Sequence, residues 1–418
     1  MSDDSDPRLT EGVVLFSQGD TTYFLFQILG EGRNGERILY ARPRTPEGLQ
    51  GKVLVKYVAL PKGEGISEKH QRARIRLEEE VRLARFLQHP SIARVHGLFE
   101  MKQALCVASE CVDGFTLDSL LAIAQARGRY FSEAFVLHVF AEVAAALAYA
   151  HERTDDAGIP LGIVNRDVNP TRIRLTPQGG VKLTDFGVAF SRLAGRVATS
   201  LPRPKGDVIY SSPELLLGEE VDRRADLFSL GLTMLEFATG RHLYDPGNLK
   251  LSDLEARMSE EERRRVLKAT VRSMDAGLTS VAEDAICWAM AYRPLDVDVA
   301  VLGVPEPLRA ILRKLFHRKP SDRFETAADL EGALRIRLDD LGPYGPDDAV
   351  NEVQQALTDA GDAMEELNLL DDEGGFIPAD WRAHPDHVET QPEARNEDEL
   401  TTDPRPGARR AVKAPPAA

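Results

Sequence analysis

Tyr23-Phe24-Leu25-Phe26-Gln27-Ile28-Leu29 runs into Gly30-Glu31-Gly32-Arg33-Asn34-Gly35, and then into Ile38-Leu39-Tyr40. The first run is apolar, aromatic and β-branched, as strands are, and Val13 to Phe16 reads as another strand before it. A GxGxxG alone is a weak signal. In a dinucleotide-binding unit its third glycine opens a helix. Here a second strand-forming run follows, then Pro43 and a turn-rich stretch to Gly51, then Val53-Leu54-Val55-Lys56-Tyr57-Val58-Ala59-Leu60. Strand, glycine loop, strand and lysine-bearing strand suits a glycine-rich hairpin whose backbone amides lie over phosphates.

Lys56 in an otherwise apolar strand has two readings. One is a charged guard on an edge strand; the other is a cation held for a phosphate. The next stretch favours the second. Ser67 to Gln88 is highly charged and helical, with Ile75, Val81, Leu83 and Leu87 as its apolar side. Glu80 lies on this helix, ahead of His89-Pro90. A lysine on a strand and a glutamate on the following helix can pair, and the pair aims the lysine.

The charge of the chain is unevenly placed. Lys and Arg number 52 and Asp and Glu 67, a net −15 over 418 residues. Residues 343–418 hold 18 acidic and 6 basic residues, so a nearly neutral body carries an acidic tail. This balance argues against a nucleic-acid partner. Residues 372–418 are acidic and Pro-rich with few large apolar side chains, and the sequence predicts disorder there. Between body and tail, Val350, Val353, Leu357, Ala360, Met364 and Leu367 recur at helical spacing and predict an amphipathic helix over 346–370. It either packs on the body or docks a partner. Three scattered cysteines, Cys106, Cys111 and Cys287, suit neither a disulfide framework nor a zinc site, which fits a reduced, cytoplasmic setting. The polar N-terminus does not read as a secretory signal, and no apolar run near 18 residues predicts a membrane span.

Further motifs follow in order. Ala104 to Val112 reads as a buried strand ending at Asp113-Gly114, and Phe131 to His151 as a long apolar helix. Then come Ile163-Val164-Asn165-Arg166-Asp167, the strand Val181 to Thr184 with Asp185-Phe186-Gly187, and Ser212-Pro213-Glu214. Asp226 to Thr239 is apolar nearly all round, as a helix buried in a large lobe is. Arg323 follows Lys319-Pro320-Ser321-Asp322. With these motifs the chain resembles a eukaryotic-type (Hanks-type) Ser/Thr protein kinase, in its bacterial branch, over about Tyr23 to Leu341. The stretch Asp155 to Leu161 before the catalytic loop looks most like bacterial members.

The resemblance implies an α+β bilobal fold: a small β-rich lobe with one helix over 23–112, and a large mainly helical lobe over 113–342, elaborated at 245–305. Residues 1–22 would be an N-terminal extension and 343–371 the amphipathic helix. Leu251 to Ala269 is charged and reads as helical. The resemblance also implies ATP as ligand. Gly30, Gly32 and Gly35 would cover its phosphates, and Ile38 would cap the adenine. Ser109 would be the gatekeeper, and Glu110 to Val112 would offer backbone groups to the base. Lys56 would hold phosphates and Glu80 would orient it. Asp185 would bind magnesium and Asp167 would accept the substrate hydroxyl proton. Phe186 and Gly187 complete the metal-binding tripeptide. Arg323 would pair with Glu214, and Asp226 would be a structural residue of the large lobe. Arg166 could pair with a phosphorylated Thr199 or Ser200, which otherwise are plain loop hydroxyls.

The catalytic loop departs from the family pattern. Asn165 replaces a histidine, Asn169 a lysine, and Arg172 the magnesium-binding asparagine. Asn169 supplies no cation, and Arg172 has no acceptor atom with which to ligate a metal. Some bacterial relatives lacking that lysine carry one in the activation segment, aligned near Lys205; here Lys205-Gly206-Asp207 follows no such pattern, and Asp207 stands where a threonine is usual. Its carboxylate would set a second negative charge near Asp167. Arg172 could instead turn toward the phosphates. At most one magnesium is expected.

Three functions stay open: a pseudokinase acting through a protein partner, an active Ser/Thr kinase on a protein substrate, and a small-molecule phosphotransferase. The last is disfavoured by Ser212-Pro213-Glu214 and the long activation segment. The loop Asp167 to Arg172 lacks the pattern of tyrosine-specific kinases.

Overall fold

The computed structural model describes residues 12–31, 36–59, 68–101, 104–193, 207–244, 251–275 and 280–366. The small lobe contains β1 (Val14–Gln18), β2 (Thr21–Glu31), β3 (Arg37–Thr45), β4 (Gly48–Leu49), β5 (Val53–Ala59), α1 (Glu68–Ala84), β6 (Val95–Met101) and β7 (Ala104–Glu110). Its antiparallel sheet runs β1-β2-β3-β5-β7-β6, with β4 paired to β3. β1 pairs with β2, so the sheet begins at Val14 and not at the expected boundary, residue 23. Leu15 and Phe16 are buried in the sheet's core, which is why this segment joins the lobe.

Strand alternation sorts β5 into two faces. Val53, Val55 and Tyr57 join Leu25, Leu39 and Ala41 in one core. Leu54, Lys56 and Val58 point the other way. Val58, with Leu105 and Val107, takes Ala73 and Leu77 of α1. That contact fixes α1 beside the face carrying Lys56.

The large lobe contains β8 (Phe115–Thr116), α2 (Leu117–Ala126), α3 (Glu133–His151), β9 (Ile173–Leu175), β10 (Val181–Leu183), α4 (Pro213–Leu217), α5 (Arg224–Thr239), α6 (Leu251–Arg257), α7 (Glu260–Asp275), α8 (Ser280–Ala291), α9 (Pro294–Ala300), α10 (Glu306–Leu315), α11 (Ala327–Leu341) and α12 (Pro346–Glu366). α3 starts at Ser132, whose side chain accepts from the Phe135 amide, as an N-cap does. It is long and apolar enough to cross a membrane, contrary to the expectation from the sequence, but most of it lies buried in the lobe. α5 is buried on almost every side.

Two expectations for the helices change. The stretch from Leu251 is two helices, broken at Met258-Ser259. Ser259 and Glu262 exchange hydrogen bonds in a capping box that starts α7 afresh. The helix at 346 packs on the large lobe through Ala349, Val353, Ala356 and Ala360. Leu357 is exposed, so the buried stripe is shifted from the apolar series read from the sequence, and small residues let α12 lie close to α2. Polar contacts pin it: Glu352 accepts from Ser132 at 2.6 and 2.7 Å, and Asp359 from Arg129 at 2.8 Å. Met364 and Leu367 lie outside the described side chains.

Candidate active site

Lys56 projects from β5 toward α1. Its Nζ donates to both carboxylate oxygens of Glu80, at 2.9 and 3.0 Å, and to Asp185 Oδ1 at 2.9 Å. Asp185 sits after β10 at a φ of 64°, a left-handed conformation uncommon for a non-glycine residue. Its Oδ1 also accepts from the Gly187 amide at 2.8 Å. Phe186 is buried in the core of the large lobe, which locks the turn.

Burial pulls the Lys56 ammonium down, but Asp185 and Glu80 hold it above the usual lysine range. Burial raises Asp185, yet Lys56 and Arg172 hold its carboxyl well below the ordinary carboxylate range. Burial pushes Glu80 up more than Lys56 draws it down. Asp185 has Arg172 and the Gly187 amide beside Lys56 to hold its charge, whereas Glu80 has Lys56 and faces the Asp185 carboxylate.

The lower side of the cleft is the catalytic-loop segment. Asp167 is buried, and both carboxylate oxygens are engaged. Oδ1 accepts from Asn169 Nδ2 and from the Asp207 amide, each at 2.9 Å; Oδ2 accepts from Arg172 Nε at 2.9 Å. Arg172 Nη1 also lies 3.8 Å from Asp185 Oδ2. Asp207 meets Asp167 through its backbone N–H, which stabilises the carboxylate. Arg172, which the sequence allowed to turn toward phosphates, bridges the two acidic side chains.

The scaffold under this loop is well satisfied. Asp226 is fully buried and accepts from the Asn165 amide (2.7 Å), the Arg166 amide (2.8 Å) and His151 Nε2 (2.8 Å). These bonds hold Arg166 at a φ of 65°. Asn165 spans the loop, donating to the Asp185 carbonyl at 3.2 Å and accepting from the Asp167 amide at 3.0 Å. Arg166 donates to the Val188 carbonyl. Arg323 forms a buried bidentate pair with Glu214, at 2.7 and 2.8 Å.

Between the rims lies a cavity of about 160 Å³. Its lining includes Lys56, Glu80, Ser109, Glu110, Val112, Arg172 and Asp185. The residue opposite Leu54 on its roof is Tyr40, not Ile38. Ile38 pairs level with Lys56. Gly30, at a φ of 145°, is described; Gly32, Gly35, Thr199, Ser200 and Lys205 lie outside the described residues. The Glu110 side chain accepts from Lys182 at 2.9 Å and from the Arg94 amide at 3.0 Å. Among the lining residues that the sequence reading did not place in the site are Tyr40 and Arg174. Tyr40 was within reach of it, since alternation places it on the face of Ile38.

Among the described residues no cluster of three or more His, Cys, Asp or Glu side chains is arranged for a metal. The donor set fits a single magnesium at Asp185. It does not fit a second at position 172, since a guanidinium has no acceptor.

A profile of the protein kinase domain matches residues 23–331. The chain is 32% identical to "Tyrosine-protein kinase MasK" of Myxococcus xanthus over 79% of its own length and 45% of that protein. It is 30% identical to "Serine/threonine-protein kinase PknF" of Mycobacterium tuberculosis over 81% of its length and 60% of that protein. It is 24% identical to "Serine/threonine-protein kinase PrkC" of Bacillus subtilis, over 71% and 38%. The chain thus spans about half the length of the curated relatives it matches. The match, the two-lobed architecture and the Lys56–Glu80–Asp185 constellation agree: this chain belongs to the protein kinase domain family, among its bacterial Hanks-type members.

Proposed function

We propose that this protein is a kinase-fold signalling protein that binds an ATP-type nucleotide, transfers phosphate slowly or not at all, and acts through protein contacts. The observation that carries the reading is the Arg172 guanidinium on Asp167 Oδ2, at 2.9 Å. A base must reach the hydroxyl whose proton it takes. Here Asn169, the Asp207 amide and Arg172 occupy both oxygens of the carboxylate. Lys56 would meet the phosphates and Glu80 would hold it. Asp185 would hold the one magnesium ion, which when bound would offset charge on the phosphates. Losing one preorganised electrostatic group in such a site costs on the order of 10²–10³ in rate.

A second reading is an active kinase. The observation favouring it is the closed Lys56–Glu80 pair beside Asp185, an arrangement an active kinase needs. Some relatives carry serine/threonine and one a tyrosine specificity in their names, so the acceptor belongs to the test.

Thermal unfolding with ATP, with and without magnesium, on the wild type and Lys56→Ala decides between them. Ligand at about 100 times Kd stabilises by about 2.7 kcal/mol. The proposal expects a wild-type shift, lost in Lys56→Ala, with no transfer to Ser, Thr or Tyr peptides. Rapid magnesium-dependent transfer that Lys56→Ala abolishes would overturn it in favour of the second reading.

A further inference from the structure

The cleft contains a cation that the proposed function leaves unused. Arg174 lies on β9, two residues after Arg172, and both line the cleft. Its Nη2 donates to the Gly114 carbonyl at 2.9 Å, just beyond the segment joining the lobes. Its Nε is buried with no hydrogen-bond partner. Its charge reaches the Tyr40 phenol and the Cys111 thiol, which line the same end of the cleft. Arg174 thus lies across from Tyr40 and Leu54, at the end of the cleft away from Lys56.

The dimensions fit poorly with a free base subsite. A cavity of about 160 Å³ is small beside the roughly 300–1,000 Å³ of ordinary ligand pockets. Tyr40 and Leu54 fill it from above, and a long cationic side chain fills it from below. The guanidinium is not firmly anchored. Among the described contacts one hydrogen bond holds it, and a buried N–H left unmatched weighs against the position. A side chain held so can be displaced.

We propose that Arg174 gates the base end of the cleft: its guanidinium occupies the space under Tyr40 and Leu54, and a purine gains its full contact only when Arg174 turns out. The inference rests on the reading of the cleft as a nucleotide site. It makes Arg174 the residue that sets affinity for the base, separate from Lys56, which sets affinity for the phosphates.

Calorimetric titration of the full chain tests this with three probes: ATP, adenosine and inorganic tripolyphosphate. Arg174→Leu removes the charge and gives the base an apolar floor. It should tighten ATP and adenosine by about tenfold each and leave tripolyphosphate unchanged. Arg174→Gln keeps a donor for the Gly114 carbonyl without the charge; it guards against a folding defect and should tighten both in the same direction. Equal or weaker adenosine binding in variants that melt as the wild type does would overturn the gate. Tightening of ATP and tripolyphosphate alone would overturn it too, since the effect would then lie at the phosphates. Lys56→Ala separates the two ideas. If it weakens ATP while Arg174→Leu changes nothing, the nucleotide reading stands and the gate falls. If no protein binds any probe, both fall.

Discussion

On the upper rim of the cleft, the Lys56 ammonium lies 2.9 Å from Glu80 and 2.9 Å from Asp185. On the lower rim, the Arg172 guanidinium lies 2.9 Å from Asp167 and 3.8 Å from Asp185. Each rim sets one cation between two carboxylates, and they share Asp185. The chemistry differs. Lys56 is a compact charge on a flexible stem, and its pairing with Glu80 leaves it aimed into the cleft. Arg172 is a planar fork matched to carboxylates, and its pairing engages the side chain that would act as base. The upper rim resembles a kinase ready for nucleotide; the lower rim keeps the loop and neutralises its acid. A loop can therefore retain its shape while its chemistry changes, because different residues carry the two.

The largest expected effect tests that separation. Asp226 holds the backbone of Asn165 and Arg166 from beneath and makes no contact with the cleft cavity. Asp226→Ala would leave two buried amides and His151 unmatched. Breaking a buried charged network of this kind costs about 3–5 kcal/mol. Denaturant unfolding should show that loss. A change under 1 kcal/mol would mean that the loop holds itself, and that shape and chemistry reside in the same residues.

Next is the lower rim itself. The double variant Asn169→Lys, Arg172→Asn restores a cation and an acceptor and releases Asp167 Oδ2. Transfer of the γ-phosphoryl to a peptide hydroxyl should rise by about 10²-fold or more over the wild type, the scale of one preorganised group. If the rate does not move while ATP still binds, the block lies elsewhere and Arg172 is not the difference between the rims.

Much of this contrast was legible in the sequence, for physical reasons that differ by site. Lys56 stood out as a charge in an apolar strand and Glu80 as its partner on the next helix; Asp185 and the Glu214–Arg323 pair were implied by the resemblance to the kinase motifs. The substitutions at 169 and 172 were legible because donor and acceptor chemistry follows from residue type. Contacts were not. The sequence offered the Asp207 carboxylate as a neighbour of Asp167, but not the bond its backbone amide makes, since a residue name says nothing about main-chain contacts. Ile38 was chosen because the strand Ile38 to Arg42 then runs in step, and the register sets Tyr40, on the same face, opposite Leu54. The break at Ser259 had a signal in its own capping box. Half of the inward face of α12 was legible, in Val353 and Ala360; Ala349 and Ala356 are weak markers beside Val350 and Leu357.

The smallest expected effect concerns charge balance below the lower rim. The Tyr210 hydroxyl donates to Glu236 on α5. Burial pushes the Glu236 carboxyl up to about 7; the Tyr210 bond draws it down, while Asp118 and Asp207 push it further up. Such a group keeps its proton in the folded chain at pH values where the unfolded chain has lost it. Folding stability therefore falls as pH climbs from about 4.5 through about 7, and levels off above. With partial exposure discounted, the loss should be about 1–2 kcal/mol between pH 5 and pH 8. Glu236→Gln carries no titrating group and should flatten this part of the profile. On the upper rim Lys56 and Asp185 are held in their charged forms outside that window, whereas Glu80, pushed up by burial, adds a loss of the same sign that Glu236→Gln leaves in place. Parallel stability profiles for wild type and Glu236→Gln would show that Asp118 and Asp207 do not load the lower rim, and that the two rims differ at Asp167 and Arg172 alone.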